Sequence, residues 1–333
     1  MSDIPMSESA TAATTDSPTS SIRFRNILVT TDFSEASRQA MPWAAEFAVQ
    51  FGARLTLAYV FPTNLPAELS HIGIVLEQKR LAAESRGQLL RFREQELPAR
   101  LPVEIVVLEG GPAHEIIRLA RDSEADLILM ATHGHTGLKH LWLGSTTERV
   151  VRHAPCPVLV VREQPVPIRF PGAVLCRFQR ILVPTDFSAA GSQALRCAAA
   201  FAQPCGGEIT LAHVIEPPSY PEFGYAHIPA KEARLKQQAR KKLDEHCAEL
   251  TAVGVKTTPV VRHGSAFHEI TEHAREIGAN LIIIASHRHN AIARALLGST
   301  AERVVRHAPC PVLVVREREP VAPGPLPPSG RRT

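Results

Sequence analysis

Short apolar runs rich in β-branched residues alternate along the chain with longer stretches in which apolar positions recur every three to four residues. In the first half, the apolar runs predict strands at Asn26–Thr31, Leu55–Val60, Val103–Glu109, Asp126–Thr132 and Val158–Arg162. The longer stretches predict helices at Ser34–Phe51, Glu77–Leu97, Ala113–Ser123 and Ser145–His153. Such alternation predicts a parallel sheet with helices on both faces, and Ser34 or Asp32 is the expected N-cap of the first helix.

The same pattern occurs twice. The segment GSTTERVVRHAPCPVLVVRE at 144–163 returns as GSTAERVVRHAPCPVLVVRE at 298–317, an offset of 154 residues. An equal offset separates ILVTTDFS, which contains Asp32, from ILVPTDFS, which contains Asp186. The chain is therefore a tandem duplication of a whole domain, and we expect each element of the second repeat 154 residues after its counterpart.

Length and composition agree with two packed domains, because 333 residues is about twice the usual domain length and 44% of the residues are hydrophobic. The first residues contain few large apolar side chains and the last ones are rich in proline, so we expect both ends to be disordered. We predict a disordered tail at 1–21, a first domain at 22–163, a linker at 164–179, a second domain at 180–317 and a disordered Pro-rich tail at 318–333.

Charge, cysteines and hydropathy exclude several functional classes. A net charge of +4 with 5% aromatic residues and no block of Lys or Arg disfavours nucleic-acid binding. Six cysteines without a CxxC pair fit reduced thiols in a cytosol. No apolar run approaches the roughly 18 residues that a membrane span needs, and no secretory signal is visible. We expect a soluble, cytoplasmic protein that binds neither nucleic acid nor membrane.

Candidate binding chemistry lies at the predicted strand ends, because open parallel sheets bind ligands at the carboxyl ends of their strands. Asp32 follows the first strand, and its carboxylate suits a ribose hydroxyl. After the fourth strand, Gly134 permits a positive φ that lets backbone amides converge on an anion. Gly144 and Ser145 then open a helix whose N-terminal amides favour phosphate.

These residues also have purely structural interpretations. Gly-Ser at a helix start is often plain capping, and Asp32 can itself be an N-cap. The pairs His133-x-His135 and His287-x-His289 offer two potential metal ligands per repeat, but no Cys or carboxylate completes a set locally, so we predict no metal site. No Walker loop and no GxSxG nucleophile motif is present, and we predict no catalytic residue.

The motifs ILVTTDFS and ILVPTDFS, ADLILMATHGHTGL and GSTTERVVRHAPCPVLVV together resemble the universal stress protein family. The resemblance covers nearly all of residues 23–163 and again 177–317. It implies an α/β fold of two repeated Rossmann-like, adenine nucleotide alpha hydrolase-like domains. Each domain is then expected to contain a five-stranded parallel sheet with helices on both faces.

The ATP-binding branch of this family carries Gly-x2-Gly-x9-Gly-Ser/Thr after strand four, with phosphates on that loop and adenosine near strands one and two. Carried over to the first repeat, the resemblance implies a nucleotide site formed by Asp32, Val60, Ala131, Gly134, Gly144, Ser145 and Thr146. Ala131 replaces the first glycine of the pattern, and Ala is the smallest possible replacement. We therefore expect the first repeat to bind ATP.

In the second repeat the same pattern falls on Asp186, Val214, Ala285, Arg288, Gly298, Ser299 and Thr300. The middle glycine is lost, because Arg288 stands where the first repeat has Gly134. If that position needs a positive φ, an arginine costs about 1 kcal/mol and obstructs the phosphate. Alternatively, its guanidinium could fold back and hold phosphate through two hydrogen bonds.

The resemblance implies a non-enzymatic regulatory protein of the stress response that binds ATP, with Mg²⁺, chiefly through the first repeat. Two alternatives remain open, a dimerisation scaffold without nucleotide and a weak ATPase. Because family members commonly dimerise through the last strand, we predict that 158–161 and 312–315 pair antiparallel within one chain. This gives an internal pseudo-dimer and leaves homodimerisation of the whole chain open.

Overall fold

The computed structural model describes residues 24–62, 71–132, 143–162, 178–217, 229–286 and 298–316. The predicted tails, residues 164–177 of the predicted linker, Gly134, Arg288 and the two His-x-His pairs lie outside these residues. The strands of the first repeat are β1 (Asn26–Thr31), β2 (Arg54–Phe61), β3 (Val103–Glu109), β4 (Leu127–Ala131) and β5 (Val158–Val161). Its helices are α1 (Glu35–Arg38), α2 (Met41–Phe51), α3 (His71–Glu96), α4 (Pro112–Asp122) and α5 (Ser145–His153).

The second repeat follows the same order, with one α-helix and a short 3-10 helix (Gln203–Cys205) after its first strand. Its strands are β6 (Arg180–Pro184), β7 (Glu208–Ile215), β8 (Lys256–His263), β9 (Leu281–Ser286) and β10 (Val312–Arg316). Its helices are α6 (Ala189–Ala202), α7 (Pro229–Ala252), α8 (Ala266–Glu276) and α9 (Ser299–His307). None of the helices in the described ranges is both long and apolar enough to cross a membrane.

All ten described strands form one continuous sheet in the order β3-β2-β1-β4-β5-β10-β9-β6-β7-β8. Within each repeat every pairing is parallel, which confirms two five-stranded parallel units. The units meet where β5 pairs antiparallel with β10, with Leu159 opposite Leu313. This confirms the predicted pairing of the two last strands, each of which would otherwise present an unpaired edge.

The prediction of one helix over Ser34–Phe51 is wrong. The structure divides this stretch into α1 and α2, with a turn between Arg38 and Met41. Pro42 lacks an N–H and cannot donate to the carbonyl of Arg38, so the helix is interrupted there. In the second repeat the equivalent position is Arg196, and α6 runs without a break.

A cluster of buried phenylalanines joins the repeats on one face of the sheet. Phe24 stacks on Phe201 with ring centroids 5.3 Å apart, and Phe47 packs against Phe178 at 5.2 Å and Phe201 at 5.1 Å. The four rings are at most 2% exposed. Because each buried phenylalanine contributes roughly 1.5–3 kcal/mol, this aromatic cluster adds substantially to the strand pairing between repeats.

Two arginines reach across the junction to the helix ends of the opposite repeat. Arg162 Nη1 donates to the carbonyl of Ala308, the C-cap of α9, at 2.8 Å. Arg316 Nη1 donates to the carbonyl of Ala154, the C-cap of α5, at 3.3 Å. A cation at a helix C-terminus is favoured by the helix dipole and satisfies carbonyls that have no intrahelical donor.

Candidate functional site

Each repeat contains a switch point in strand order, at β1 between β2 and β4 and at β6 between β7 and β9. In the second repeat, described residues line a cavity of about 710 Å³ at the carboxyl ends of these strands. The cavity brings together every predicted residue of this repeat that the structure describes, namely Asp186, Val214, Ala285, Gly298, Ser299 and Thr300. Its size falls within the range of small-molecule sites.

The aspartate after the first strand shapes the turn that leads into the helix. Asp186 Oδ1 accepts a hydrogen bond from the amide of Ser188 at 3.1 Å, and Asp32 Oδ1 accepts one from the amide of Ser34 at 3.1 Å. Ser34, rather than Asp32, is the N-cap of α1, because its Oγ accepts from the amide of Ser37. The Asp186 side chain also lines the cavity, so a turn-forming role and a ligand-facing position coexist.

The residue after each of these aspartates has a left-handed backbone. Phe33 has φ 65° and Phe187 has φ 66°, a conformation that costs about 1–3 kcal/mol in a residue with a bulky side chain. The Phe187 amide donates to Thr185 Oγ1 at 3.0 Å, and its ring packs on His213 with centroids 4.5 Å apart. These contacts offset the strain and hold the turn at the mouth of the cavity. Sequence reasoning missed it, because phenylalanine seldom adopts a positive φ.

The start of α9 has the properties of an anion site. Its N-cap is Gly298, which has no side chain to accept hydrogen bonds from the amides of the first turn. A Cβ added at Gly298 would meet no atom of the described residues within 4 Å. The amides of Ser299 and Thr300 precede the first intrahelical hydrogen bond, from Glu302 to the Gly298 carbonyl at 3.0 Å. Such a helix start favours phosphate.

Four lining residues with titratable side chains were not predicted, and two of them differ between the repeats. His213 Nδ1 shares a hydrogen bond of 2.8 Å with the Thr185 carbonyl, where the first repeat has Tyr59. Glu216 Oε1 accepts from the amide of Ala266, the first residue of α8, at 2.7 Å. His213 directly precedes the predicted Val214, and Glu216 lies two residues after it. Aligning the repeats at the offset of 154 could therefore have drawn attention to both positions.

The other two, Arg152 and Glu302, belong to a charged cluster between α5 and α9. Arg152 Nη2 donates to Glu148 Oε1 at 2.8 Å and to Glu302 Oε2 at 3.0 Å, while Arg306 Nη2 donates to Glu302 Oε1 at 2.8 Å. Arg152 belongs to the first repeat although it lines the cavity of the second. Its position depends on how the repeats dock, which no local motif encodes.

In the first repeat, the predicted residues that the structure describes occupy equivalent positions. Thr147 Oγ1 donates to the carbonyl of Ala131 at 2.8 Å, and the Gly144 amide donates to the carbonyl of Thr132 at 2.8 Å. These bonds fix the start of α5 against the end of β4. Near β2, burial and the charge of Asp32 raise the pKa of Tyr59.

The cavity therefore combines groups that suit a nucleotide. Asp186 supplies a carboxylate, α9 supplies N-terminal amides, and apolar walls come from Val214, Ile270 and Ile284. The three lining carboxylates already accept hydrogen bonds, Asp186 and Glu216 from backbone amides and Glu302 from arginines. Within the described ranges, no group of three His, Cys, Asp or Glu side chains is placed to hold a metal ion.

Comparison with known proteins agrees with this architecture. The model of the universal stress protein family matches residues 23–162 and 177–316. A universal stress protein of Methanocaldococcus jannaschii is 36% identical over 144 residues, covering 42% of this chain and 83% of the relative. One of Bacillus subtilis is 29% identical over 147 residues, covering 42% of this chain and 99% of the relative.

A solved structure matches both repeats together. The crystal structure of a universal stress protein from Archaeoglobus fulgidus superposes with a TM-score of 0.63 and 23% sequence identity, covering 88% of this chain and 98% of that chain. At this identity the likeness concerns the fold alone. It includes both units of the chain and the way they are paired. Because the family model matches most of the sequence, the chain belongs to the universal stress protein family.

Proposed function

We propose that the protein is a regulatory module that binds ATP, with Mg²⁺, at the carboxyl ends of its strands. The observation that carries the proposal is the cavity of the second repeat, in which Asp186 faces the amide-rich start of α9. In this proposal the ribose lies at Asp186, the base lies along Val214, and the phosphates lie on Gly298 to Thr300. The equivalent residues of the first repeat are Asp32, Val60 and Gly144 to Thr146.

We infer that the first repeat is the tighter of the two sites. Its loop contains Gly134 where the second repeat has Arg288, and a glycine lets the backbone approach a phosphate most closely. Both positions lie outside the described residues, so this ranking depends on the sequence. A regulatory role is favoured over catalysis, since each described carboxylate that lines the cavity of the second repeat already accepts a hydrogen bond, so none of these carboxylates stands ready as the base for an attacking water.

A scaffold that binds no nucleotide is the second candidate. The repeats are already held together without any ligand by the pairing of β5 with β10, by the aromatic cluster, and by the hydrogen bonds of Arg162 and Arg316. The scaffold hypothesis does not explain why an N-cap without a side chain, Gly298, lines a cavity in which a Cβ would meet no described atom within 4 Å. A ligand that approaches the backbone gives a reason.

Gly298→Val separates the two candidates. The new side chain meets no described atom within 4 Å, so the fold should persist, at a cost of about 1 kcal/mol because glycine is preferred over valine at an N-cap. If phosphate binds there, ATP affinity at the second repeat should fall roughly tenfold or more, as measured by titration calorimetry with Mg-ATP. Gly87→Ala, on α3 and in ordinary contact with Arg91, is the control that leaves affinity unchanged.

The parent protein should first be purified, denatured and analysed by mass spectrometry for released ligands. We expect an adenine nucleotide in the released fraction and saturable binding of Mg-ATP by the emptied protein. Absence of any adenine nucleotide binding by the parent would leave the scaffold as the function. Release of ADP from added ATP over hours would identify the weak ATPase instead.

A further inference from the structure

The second repeat's cavity receives one side chain from the first repeat. Among the described lining residues, Arg152 alone precedes the second repeat, and it projects from the last turn of α5. It makes ion pairs with Glu148 of its own helix and with Glu302 of α9. The cavity is thus built from both halves of the chain.

Glu302 creates an electrostatic problem for a phosphate at this place. It lies in the first turn of α9 and lines the same cavity as Gly298 and Ser299. A carboxylate beside an anion site is repulsive unless a cation compensates it. Among the described residues, the cations that touch Glu302 are Arg152 at 3.0 Å and Arg306 at 2.8 Å, and of these two only Arg152 is a lining residue of the cavity.

The guanidinium of Arg152 is both anchored and able to donate further. Its Nη2 makes the hydrogen bonds to Glu148 and Glu302, while its buried Nε has no hydrogen-bond partner among the described residues. Arginine has five N–H donors in a fixed planar arrangement, which matches the oxygens of a phosphate. Anchoring by two carboxylates reduces the side-chain entropy that binding would otherwise cost.

We propose that Arg152 of the first repeat is a phosphate-binding residue of the second repeat's nucleotide site. The inference rests on the proposed function, because it assigns the triphosphate end of the nucleotide to a site that two repeats complete together. Arg152 neutralises Glu302 and donates to the phosphate oxygens, alongside the amides of α9. The second repeat therefore binds phosphate tightly only when it is docked to the first.

The test uses the whole chain in a Gly144→Val background, which removes phosphate binding by the first repeat. Arg152→Gln should lower the affinity for Mg-ATP about tenfold or more, the usual loss on removing a charge-assisted hydrogen bond, and should leave adenosine affinity unchanged. The salt dependence of ATP binding should also weaken, because one cation has been lost. Arg152→Lys should restore part of the ATP affinity.

Arg149→Gln is the matched control, because it removes the same charge from an exposed position on the same helix. It should change ATP affinity by less than threefold. Equal losses of ATP and adenosine affinity in Arg152→Gln would indicate a structural role and overturn the inference, as would unchanged ATP affinity in a variant that unfolds like the parent. If Gly298→Val lowers ATP affinity and Arg152→Gln does not, the proposed function stands and only this inference fails. Failure of the parent to bind adenine nucleotides would reject both.

Discussion

The two repeats are nearly identical at one end of the candidate site and different at the other. The segments 144–163 and 298–317 differ at a single position, Thr147 against Ala301. Along the second strand of each repeat, by contrast, Tyr59 corresponds to His213 and Pro62 to Glu216. Duplication has thus preserved the helix starts and the paired last strands, while the walls beside Val60 and Val214 have diverged. Under the proposed function, the repeats would share the helix start that binds phosphate and differ in the walls around the rest of the nucleotide.

One of these differences is a coupled exchange. In the first repeat α4 begins at Pro112, which has no N–H and therefore needs no acceptor. In the second repeat the equivalent residue is Ala266, whose amide donates to Glu216. The glutamate thus supplies an acceptor to an amide that the proline of the first repeat does not have.

The largest expected effect concerns the junction that both repeats share. Phe201→Ala should lower the free energy of unfolding by about 3–5 kcal/mol, because it removes a fully buried ring that contacts Phe24 and Phe47. Urea unfolding followed by fluorescence and circular dichroism measures the loss. Leu235→Ala, at a position that is 42% exposed, should cost less than about 0.5 kcal/mol. A similar small loss in Phe201→Ala would show that the aromatic cluster does not hold the repeats together.

Exchanging the divergent loop residue between repeats tests which site is tighter. Gly134→Arg should reduce ATP affinity by at least about 1–3 kcal/mol, tenfold or more, while the fold persists because such loops lie on the surface. Calorimetry with Mg-ATP measures it. Should the variant bind as tightly as the parent, this loop is not the phosphate site.

The reverse exchange, Arg288→Gly, distinguishes the two interpretations of the arginine. If Arg288 obstructs the phosphate, the stoichiometry should rise towards two nucleotides per chain. If Arg288 holds the phosphate, affinity at the second repeat should fall instead. The same titration reads both outcomes.

The coupled exchange at α8 can be measured as a double-mutant cycle. Glu216→Ala should cost about 1 kcal/mol of stability, since the amide of Ala266 loses its acceptor at the start of the helix. In an Ala266→Pro background the same substitution should cost only a few tenths of a kcal/mol, because no amide is left to satisfy. Equal costs in the two backgrounds would contradict the coupling.

The smallest effect is a pH dependence that one carboxyl group of the second repeat contributes. Hydrogen bonds from Arg262, and then from His273, lower the pKa of Glu276 to about 2, whereas Leu108 occupies the position of Arg262 in the first repeat. A lowered carboxyl pKa stabilises the fold above the ordinary value of 4.5, and this contribution is lost as the pH falls towards 2. Glu276→Gln should therefore reduce the loss in free energy of unfolding that acid unfolding measurements show between pH 4.5 and 2. The equivalent substitution in the first repeat, Asp122→Asn, should reduce that loss less.

Much of the fold could be predicted from the sequence, because continuous hydrophobic runs mark the strands and the two repeats have the same spacing. The strands β1 and β3 and the helix α5 have the predicted bounds. The start of α3 was placed six residues late, at Glu77 instead of His71, although Ser70, a residue type preferred at N-caps, directly precedes His71 in the sequence. The left-handed Phe33 and Phe187, by contrast, could not be predicted from propensity, since tertiary contacts maintain them.

The candidate site was predictable only where it is local. The glycines, Ser299 and Asp186 belong to short motifs that can be read within one repeat. Arg152 lines a cavity whose other described walls begin at Pro184, so its role depends on the docking of two domains. The ribose, base and phosphate assignments themselves remain predictions.

The antiparallel pairing of β5 with β10 has a consequence for copy number. Two separate chains that pair through their last strands dissociate on dilution, and a mixture of two variants assorts into like and unlike pairs. A covalent tandem avoids both outcomes, because the effective concentration of each half near the other is fixed by the linker. The two diverged repeats are therefore present in equal numbers at every expression level. A pair made of two identical repeats cannot form in place of the pair within the chain.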